Sequence, residues 1–125
     1  MASQSTAASE SPSLLSLPSN NLAYLGVVAA LVSAVIHLYL APVVMGFDPT
    51  TGVLFYLNAA GWVVGATLFF TRYWRRELHL VAAGYAVLTI VAYVAMGGPT
   101  NSMAIASKVA EAVVALVAGY LYAAE

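Results

Sequence analysis

The chain consists of four long apolar stretches separated by short polar segments. The stretches cover residues 22–45, 52–73, 78–96 and 103–124. Each is close to the roughly 20 residues that an α-helix needs to cross a hydrocarbon core of about 30 Å. One such helix can be buried inside a soluble protein, but four in succession leave too little polar surface to face water. The pattern therefore predicts four transmembrane helices.

The segments between the stretches are short. GFDPTT (46–51) and GGPTNS (97–102) contain glycine, proline and other residues that end helices and form turns. The middle segment is RYWRRELH (72–79). Because short connections join neighbouring helices that run in opposite directions, we predict an all-α fold. Residues 22–125 would form a four-helix, up-down-up-down transmembrane bundle.

The first 21 residues differ in composition from the rest of the chain. They are rich in Ser, Ala, Thr and Pro and carry one charge, Glu10. Such a segment cannot bury enough apolar surface to fold, which predicts a disordered polar tail over residues 1–21. A secretory signal needs a positive region ahead of its apolar stretch. Since no Lys or Arg precedes Arg72, we do not expect one.

The overall composition also favours lipid as the surroundings of the chain. Hydrophobic residues make up 62% of the 125 residues, charged residues only 7%, and the mean hydropathy is +0.90. Soluble domains carry about 25% charged residues. The net charge of −1 and the lack of a basic run argue against a nucleic-acid partner. The absence of cysteine excludes disulfides, thiolate metal sites and Cys nucleophiles.

Positive charges are concentrated in one connection. The middle segment contains Arg72, Arg75 and Arg76, whereas the other two connections contain no Lys or Arg. The positive-inside rule makes these arginines the cytoplasmic topology determinants. We therefore expect a multi-pass protein of the cell membrane with both termini in the cytoplasm, unless a partner subunit overrides the bias.

Five polar residues interrupt the apolar stretches: His37, Asn58, Thr89, Lys108 and Glu111. At 1.5 Å per residue, they lie about 8–12 Å from the helix ends opposite the arginine segment, so they form one layer. Each shares a helical stripe with small residues, which let transmembrane helices approach closely. We therefore predict that the five side chains meet inside the bundle.

This polar layer has three interpretations. Lys108 and Glu111 are three residues apart on one helix face and can neutralise each other, so the network could simply fix the register of the bundle. Alternatively, the layer is a binding site that includes a proton-exchanging imidazole, His37, since ionisable residues inside membranes are functional candidates. In the third interpretation Lys108 snorkels to the outer surface and leaves Glu111 protonated or bound to another subunit.

Gly61 and Gly65 form a G-x-x-x-G pattern in the second stretch. This pattern marks close helix packing, either in a dimer or inside one bundle. Asn58 lies on the same stripe, and this favours packing inside the bundle.

Motifs of catalytic and cofactor sites are missing from the sequence. The two histidines, His37 and His79, are expected in different halves of the bundle and so cannot ligate one haem iron. There is no metal-ligand spacing, no phosphate-binding glycine loop and no nucleophile elbow. We expect no metal and no cofactor. A non-enzymatic role is favoured, although acid–base chemistry by His37 and Glu111 stays open.

Three segments carry a family resemblance: VIHLYLAP (35–42), GVLFYLNAAGW (52–62) and SKVAEAVV (107–114). Together they resemble a group of small four-helix membrane proteins from halophilic archaea that have no assigned function. The resemblance extends over most of residues 22–125. It implies the fold, and it implies neither an activity nor site residues.

The function we favour is that of an accessory or scaffold subunit in a membrane complex, with a homo-oligomer or a larger assembly as its context. Four helices of about 20 residues leave little room for a solute pathway through one copy. A transport or sensing module for a small solute or a proton, acting at the polar layer, is the first alternative. A membrane enzyme or redox protein is the second.

Overall fold

A computed structural model of the chain describes residues 13–125. Within that range the fold is all-α and contains no β-strand, only one isolated bridge. The four helices are α1 (Leu22–Met45), α2 (Pro49–Phe69), α3 (Glu77–Ala95) and α4 (Ser102–Ala124). All four are long and apolar enough to cross a membrane. The prediction of an all-α chain with four long apolar helices is confirmed.

Side-chain caps set the starts of two helices. The structure begins α2 at Pro49 instead of Gly52, because Asp48 accepts hydrogen bonds from the backbone N–H and the Oγ1 of Thr51 at 3.3 and 2.7 Å. Proline suits the first turn of a helix, where its missing N–H is not needed. In α4, Asn101 caps the backbone N–H of Ala104 at 2.9 Å.

The end of α2 also differs from the expectation. The helix ends at Phe69, and residues 70–76 form the connection to α3. The Oγ1 of Thr71 donates to the carbonyl of Leu68 at 2.7 Å. Such local bonds from Thr compete with helical hydrogen bonding.

The helices alternate in direction. α1 packs along α2 and α4, and α3 packs along α4. Near the start of α1, a Cβ added to Gly26 would lie 3.0 Å from Val117, which is near the end of α4. Near the start of α3, the Nε2 of His79 lies 2.9 Å from Glu125, just beyond the end of α4. Both α1 and α3 therefore run antiparallel to α4. The chain also reverses direction between α1 and α2, in the short turn formed by residues 46–48.

The interior of the bundle consists mainly of small residues. Its principal cluster comprises Ala29, Ala30, Ala34, Ala59, Trp62, Ala86, Ala110 and Val114. Large apolar side chains face outward instead, as at Leu116 (75% exposed) and Val94 (70% exposed). This distribution is the reverse of a soluble core, and it is typical of helices that pack closely within lipid.

The contact between α2 and α3 is narrow. Within the described residues these two helices do not pack along their lengths. They meet at Tyr85 of α3, whose hydroxyl donates to the carbonyl of Asn58 at 3.0 Å. The Tyr85 ring also packs edge-on against Trp62, with 4.8 Å between centroids. We call this region between the two helices, with its narrow contact at Tyr85, the α2–α3 seam.

The end of the bundle that carries the arginines is joined by the segment preceding α1. The backbone N–H of Ser16 donates to the carbonyl of Phe70 at 2.6 Å, and that of Arg72 donates to Leu14 at 2.9 Å. This pairing falls inside the segment predicted as a disordered tail. It forms because the connection after α2 has backbone groups that no helix uses. Residues 1–12 of the predicted tail lie outside the described residues.

Candidate functional site

The carboxylate of Glu111 is the centre of the polar layer. Glu111 as a whole is 0% exposed. Its Oε2 accepts from Ser33 at 2.5 Å and from Ser107 at 3.1 Å. Its Oε1 accepts from Lys108 at 2.7 Å and from Thr89 at 2.9 Å. An ionised carboxylate offers about four acceptor positions, so these donors use all of them. We call these five residues the Glu111 cluster.

The Glu111 cluster connects three helices. Ser33 comes from α1 and Thr89 from α3, while Ser107 and Lys108 precede Glu111 by four and three residues on α4. Residues at these spacings share one helix face. A buried charge without a partner would cost several kcal/mol. Here the ion pair and the hydroxyl donors compensate for that cost while they hold the three helices at one height.

The ammonium of Lys108 points into the bundle. It lies 2.7 Å from Glu111 and 5.2 Å from the centroid of the Tyr93 ring. The Lys108 side chain is 15% exposed. A cation over an aromatic face gains additional electrostatic stabilisation. Lys108 is therefore engaged within the bundle and does not extend to the outer surface.

His37 borders the Glu111 cluster. Its Nδ1 lies 2.8 Å from the carbonyl of Ser33 and 3.9 Å from the Oε2 of Glu111. Because a carbonyl can only accept, Nδ1 carries a proton and donates it to Ser33. The ring packs edge-on against Phe55, with 5.0 Å between centroids. Among the described residues, Nε2 makes no hydrogen bond, and the side chain is 9% exposed.

Asn58 makes no hydrogen bond to the Glu111 cluster within the described part of the chain. Its backbone carbonyl accepts from Tyr85 in the α2–α3 seam. Its Oδ1 is buried and has no partner among residues 13–125, and the same holds for the indole Nε1 of Trp62. Of the five predicted layer residues, Thr89, Lys108 and Glu111 are joined directly, His37 lies beside them, and Asn58 belongs to the seam.

The two glycines of the G-x-x-x-G pattern have different surroundings. A Cβ on Gly61 would lie 2.8 Å from the Cζ of Tyr85 and closer still to its hydroxyl. Gly61 therefore permits the close approach of Tyr85 within the bundle. A Cβ on Gly65 would meet no atom within 4 Å, so that position is open.

Ser33 and Ser107 belong to the site, although neither was among the predicted layer residues. Ser33 precedes His37 by four residues, and Ser107 precedes Glu111 by four. The sequence feature that could have predicted these two serines is their position on the same helical stripe as a titratable residue. Serine in a helix also commonly bonds its own backbone, and for that reason its presence alone does not indicate a polar network.

A second buried histidine lies at the arginine end. His79 is 2% exposed, and its Nε2 lies 2.9 Å from Glu125 and 3.4 Å from the Nε1 of Trp74. His37 and His79 thus have separate sets of partners. In residues 13–125, no group of three or more His, Cys, Asp or Glu could hold a metal ion.

The three arginines are exposed in the connection between α2 and α3. The guanidinium of Arg72 donates to the hydroxyl of Tyr73 at 3.0 Å. That of Arg76 donates to the carbonyl of Tyr122 at 3.0 Å and lies over its ring. Arg75 and these two side chains place three positive charges at one end of the bundle.

Comparison with known proteins gives a family and no activity. No curated protein and no solved structure matches the chain. Residues 8–122 match DUF7475, a family of unknown function. The match includes α1, α2 and α3 in full, α4 as far as Tyr122, and the three segments that carry the resemblance noted in the sequence. The archaeal source stays a prediction. Since the match covers nearly the whole chain, this protein belongs to the DUF7475 family of unknown function.

Proposed function

We propose that the protein is a multi-pass membrane protein whose four helices span the bilayer. The apolar outer surface supports this arrangement, since it would be costly to keep in water. We further propose that the connection between α2 and α3 lies in the cytoplasm, together with both termini. Arg72, Arg75 and Arg76 are at the same end of the bundle as the termini, and positive charges favour the cytoplasmic side. Tyr73 and Trp74 beside them suit the membrane interface.

We propose that the bundle serves as an accessory or scaffold subunit of a membrane complex. The observation that supports this role is the complete hydrogen bonding of the Glu111 carboxylate. All acceptor positions of its buried carboxylate are used by protein donors, which leaves none for a solute. A fully satisfied buried network rigidifies a fold and specifies a unique core, and these properties suit a rigid packing unit.

The outer faces of α2 and α3 are the surfaces that such a partner would use. α3 buries only two residues, His79 and Ala86. The α2–α3 seam leaves further surface uncovered. A second copy of the chain or another membrane subunit would bury these faces through close helix packing.

Purification in mild detergent tests the scaffold role. Wild-type protein and Glu111→Gln would be isolated from the native membrane and examined by native mass spectrometry. Glu77→Gln is the matched control, since Glu77 is exposed. We expect wild type and the control to carry a stoichiometric protein partner, and Glu111→Gln to lose it and to accumulate several-fold less. Wild-type protein that is purely monomeric, or full assembly by Glu111→Gln, would overturn the proposal.

A second candidate function is proton transfer or sensing at His37. Two observations favour it: the Nδ1 of His37 lies 3.9 Å from the buried Oε2 of Glu111, and the Nε2 makes no hydrogen bond within residues 13–125. Proteoliposomes containing a pH-sensitive dye would report proton flux. Proton transport predicts flux that His37→Phe abolishes and His79→Phe retains. Wild-type vesicles no more permeable than empty ones would rule this candidate out.

A further inference from the structure

Two cavities border each other at the arginine end of the bundle. The larger has a volume of about 370 Å³ and lies between the segment before α1, the α2–α3 connection and the end of α4. The smaller, of about 80 Å³, extends into the bundle between all four helices. Both are lined by Ala23, Phe69, Trp74 and Leu121. We call the larger the polar cavity and the smaller the apolar cavity.

The lining of the polar cavity carries one charged side chain of each sign within residues 13–125. Arg72 is the one arginine of the connection that lines it, and Glu125 supplies a carboxylate. The guanidinium of Arg72 donates to the hydroxyl of Tyr73 and has further donors to offer. The Oε2 of Glu125 lies 2.9 Å from His79, and the Glu125 side chain is still 49% exposed. Both charged groups can therefore contact a ligand.

The apolar cavity suits a segment of hydrocarbon chain. It extends along α1 from Ala23 to Ala30, which is about 10 Å at 1.5 Å per residue. A buried water molecule needs two to four polar partners, whereas this lining consists almost entirely of small, apolar and aromatic residues. Both α2 and α3 contribute to the wall, and within the described residues they do not pack along their lengths. A chain from the bilayer can therefore enter through the α2–α3 seam.

We infer that the two cavities together bind one phospholipid with a zwitterionic headgroup. Its phosphate contacts Arg72, because guanidinium donors match phosphate oxygens. Its ammonium contacts Glu125, and part of one acyl chain occupies the apolar cavity. A headgroup without an ammonium would offer Glu125 no cation, and a diacylglycerol would also offer Arg72 no anion. The inference rests on the proposed membrane location. That location is tested separately, by sedimentation of the chain with the cell membrane, and it stands whether or not this lipid binds.

Native mass spectrometry of the full chain in detergent micelles tests lipid binding. The probes, added one at a time, are dioleoyl phosphatidylethanolamine, dioleoyl phosphatidylglycerol, dioleoylglycerol and inorganic phosphate. We expect one phosphatidylethanolamine per chain, bound about tenfold more tightly than either other lipid, because it alone pairs with both charged groups. Inorganic phosphate should not be retained. Tighter binding of phosphatidylglycerol would show that the exposed arginines attract anionic lipid as a surface, and would overturn the inference. Retained inorganic phosphate, or equal binding of dioleoylglycerol, would overturn it too.

Matched substitutions separate this site from the rest of the surface. Arg72→Gln should weaken phosphatidylethanolamine binding about tenfold. Arg75→Gln should not, since this exposed arginine lines neither cavity. Gly65→Leu fills open space in the apolar cavity and should weaken binding, whereas Gly84→Leu, at an open position outside both cavities, should not. Circular dichroism would verify that each variant is helical. Equal effects within either pair would contradict the assignment.

Discussion

The hydroxyl of Ser33 donates a 2.5 Å hydrogen bond to the carboxylate of Glu111, across 78 residues of sequence. This bond joins α1 to α4 inside the bundle. Thr89 donates to the same carboxylate from α3. One buried side chain therefore sets the relative height of three helices.

Ser33 should contribute more to stability than Ser107, although both donate to the same oxygen. Ser33→Ala removes a bond between helices, and we expect a loss of about 1 kcal/mol, which is typical of such bonds in membranes. Ser107→Ala removes a bond within α4 and should cost less. Reversible unfolding in mixed micelles containing dodecyl sulfate would measure both. Equal losses would show that Ser33 does not act as an interhelical link.

Alanine should destabilise the bundle at Gly61 and should not destabilise it at Gly65. The new Cβ at Gly61 would overlap Tyr85, and such overpacking costs about 1–3 kcal/mol. Gly65→Ala meets open space and replaces a weak helix former by a strong one, so it should be neutral or stabilising. Thermal unfolding in detergent would compare the two. Destabilisation by Gly65→Ala alone would indicate a dimer interface at that position.

The cap of α2 should make the bundle sensitive to acid at Asp48. Hydrogen bonds from the side chain and backbone of Thr51 hold the pKa of the Asp48 carboxyl below its ordinary value. A lowered pKa in the folded state means that the capping contribution is present at neutral pH. It is lost as the pH falls through that pKa.

The matched variant for this test is Asp48→Asn, which retains a capping oxygen but does not titrate. The difference in melting temperature between wild type and Asp48→Asn should be constant near neutral pH and should change only on acidification. A difference that changes between pH 6 and pH 8, a window well above carboxyl titration, would contradict this account.

Cysteine labelling would test the proposed orientation, since the chain has no native cysteine. In intact cells, a membrane-impermeant maleimide should label Thr50→Cys and Thr100→Cys, which lie at the end opposite the arginines. It should label Arg75→Cys only after the membrane is opened. Labelling of Arg75→Cys in intact cells would mean that the orientation is reversed.

The sequence contained enough information for the four helices and for the ion pair. Each helix is a long apolar stretch between turn-forming residues, and the spacing of Lys108 and Glu111 puts them on one face. The start of α2 was harder to locate, because Asp48 and Pro49 resemble a turn as much as a capped first turn.

The lateral arrangement of the helices could not be derived from the sequence. In a membrane both the core-facing and the lipid-facing positions are apolar, so hydrophobicity does not show which side of α2 faces α3. The predicted layer relied on height along the membrane and on stripes of small residues, and both criteria place Asn58 with Glu111. In the structure Asn58 makes no side-chain hydrogen bond to the Glu111 cluster within residues 13–125, and its backbone carbonyl accepts from Tyr85 of α3. The contact of His79 with Glu125 depends on how α3 packs along α4.

Unfolding of Glu111→Gln in mixed micelles tests the central claim most directly, which is that one buried carboxylate holds the helices together. Glutamine cannot accept four hydrogen bonds, and it leaves the ammonium of Lys108 unpaired. We predict a loss of about 3 kcal/mol, part of which the added substitution Lys108→Met restores. Glu111→Gln that unfolds at the same dodecyl sulfate content as wild type would contradict the account.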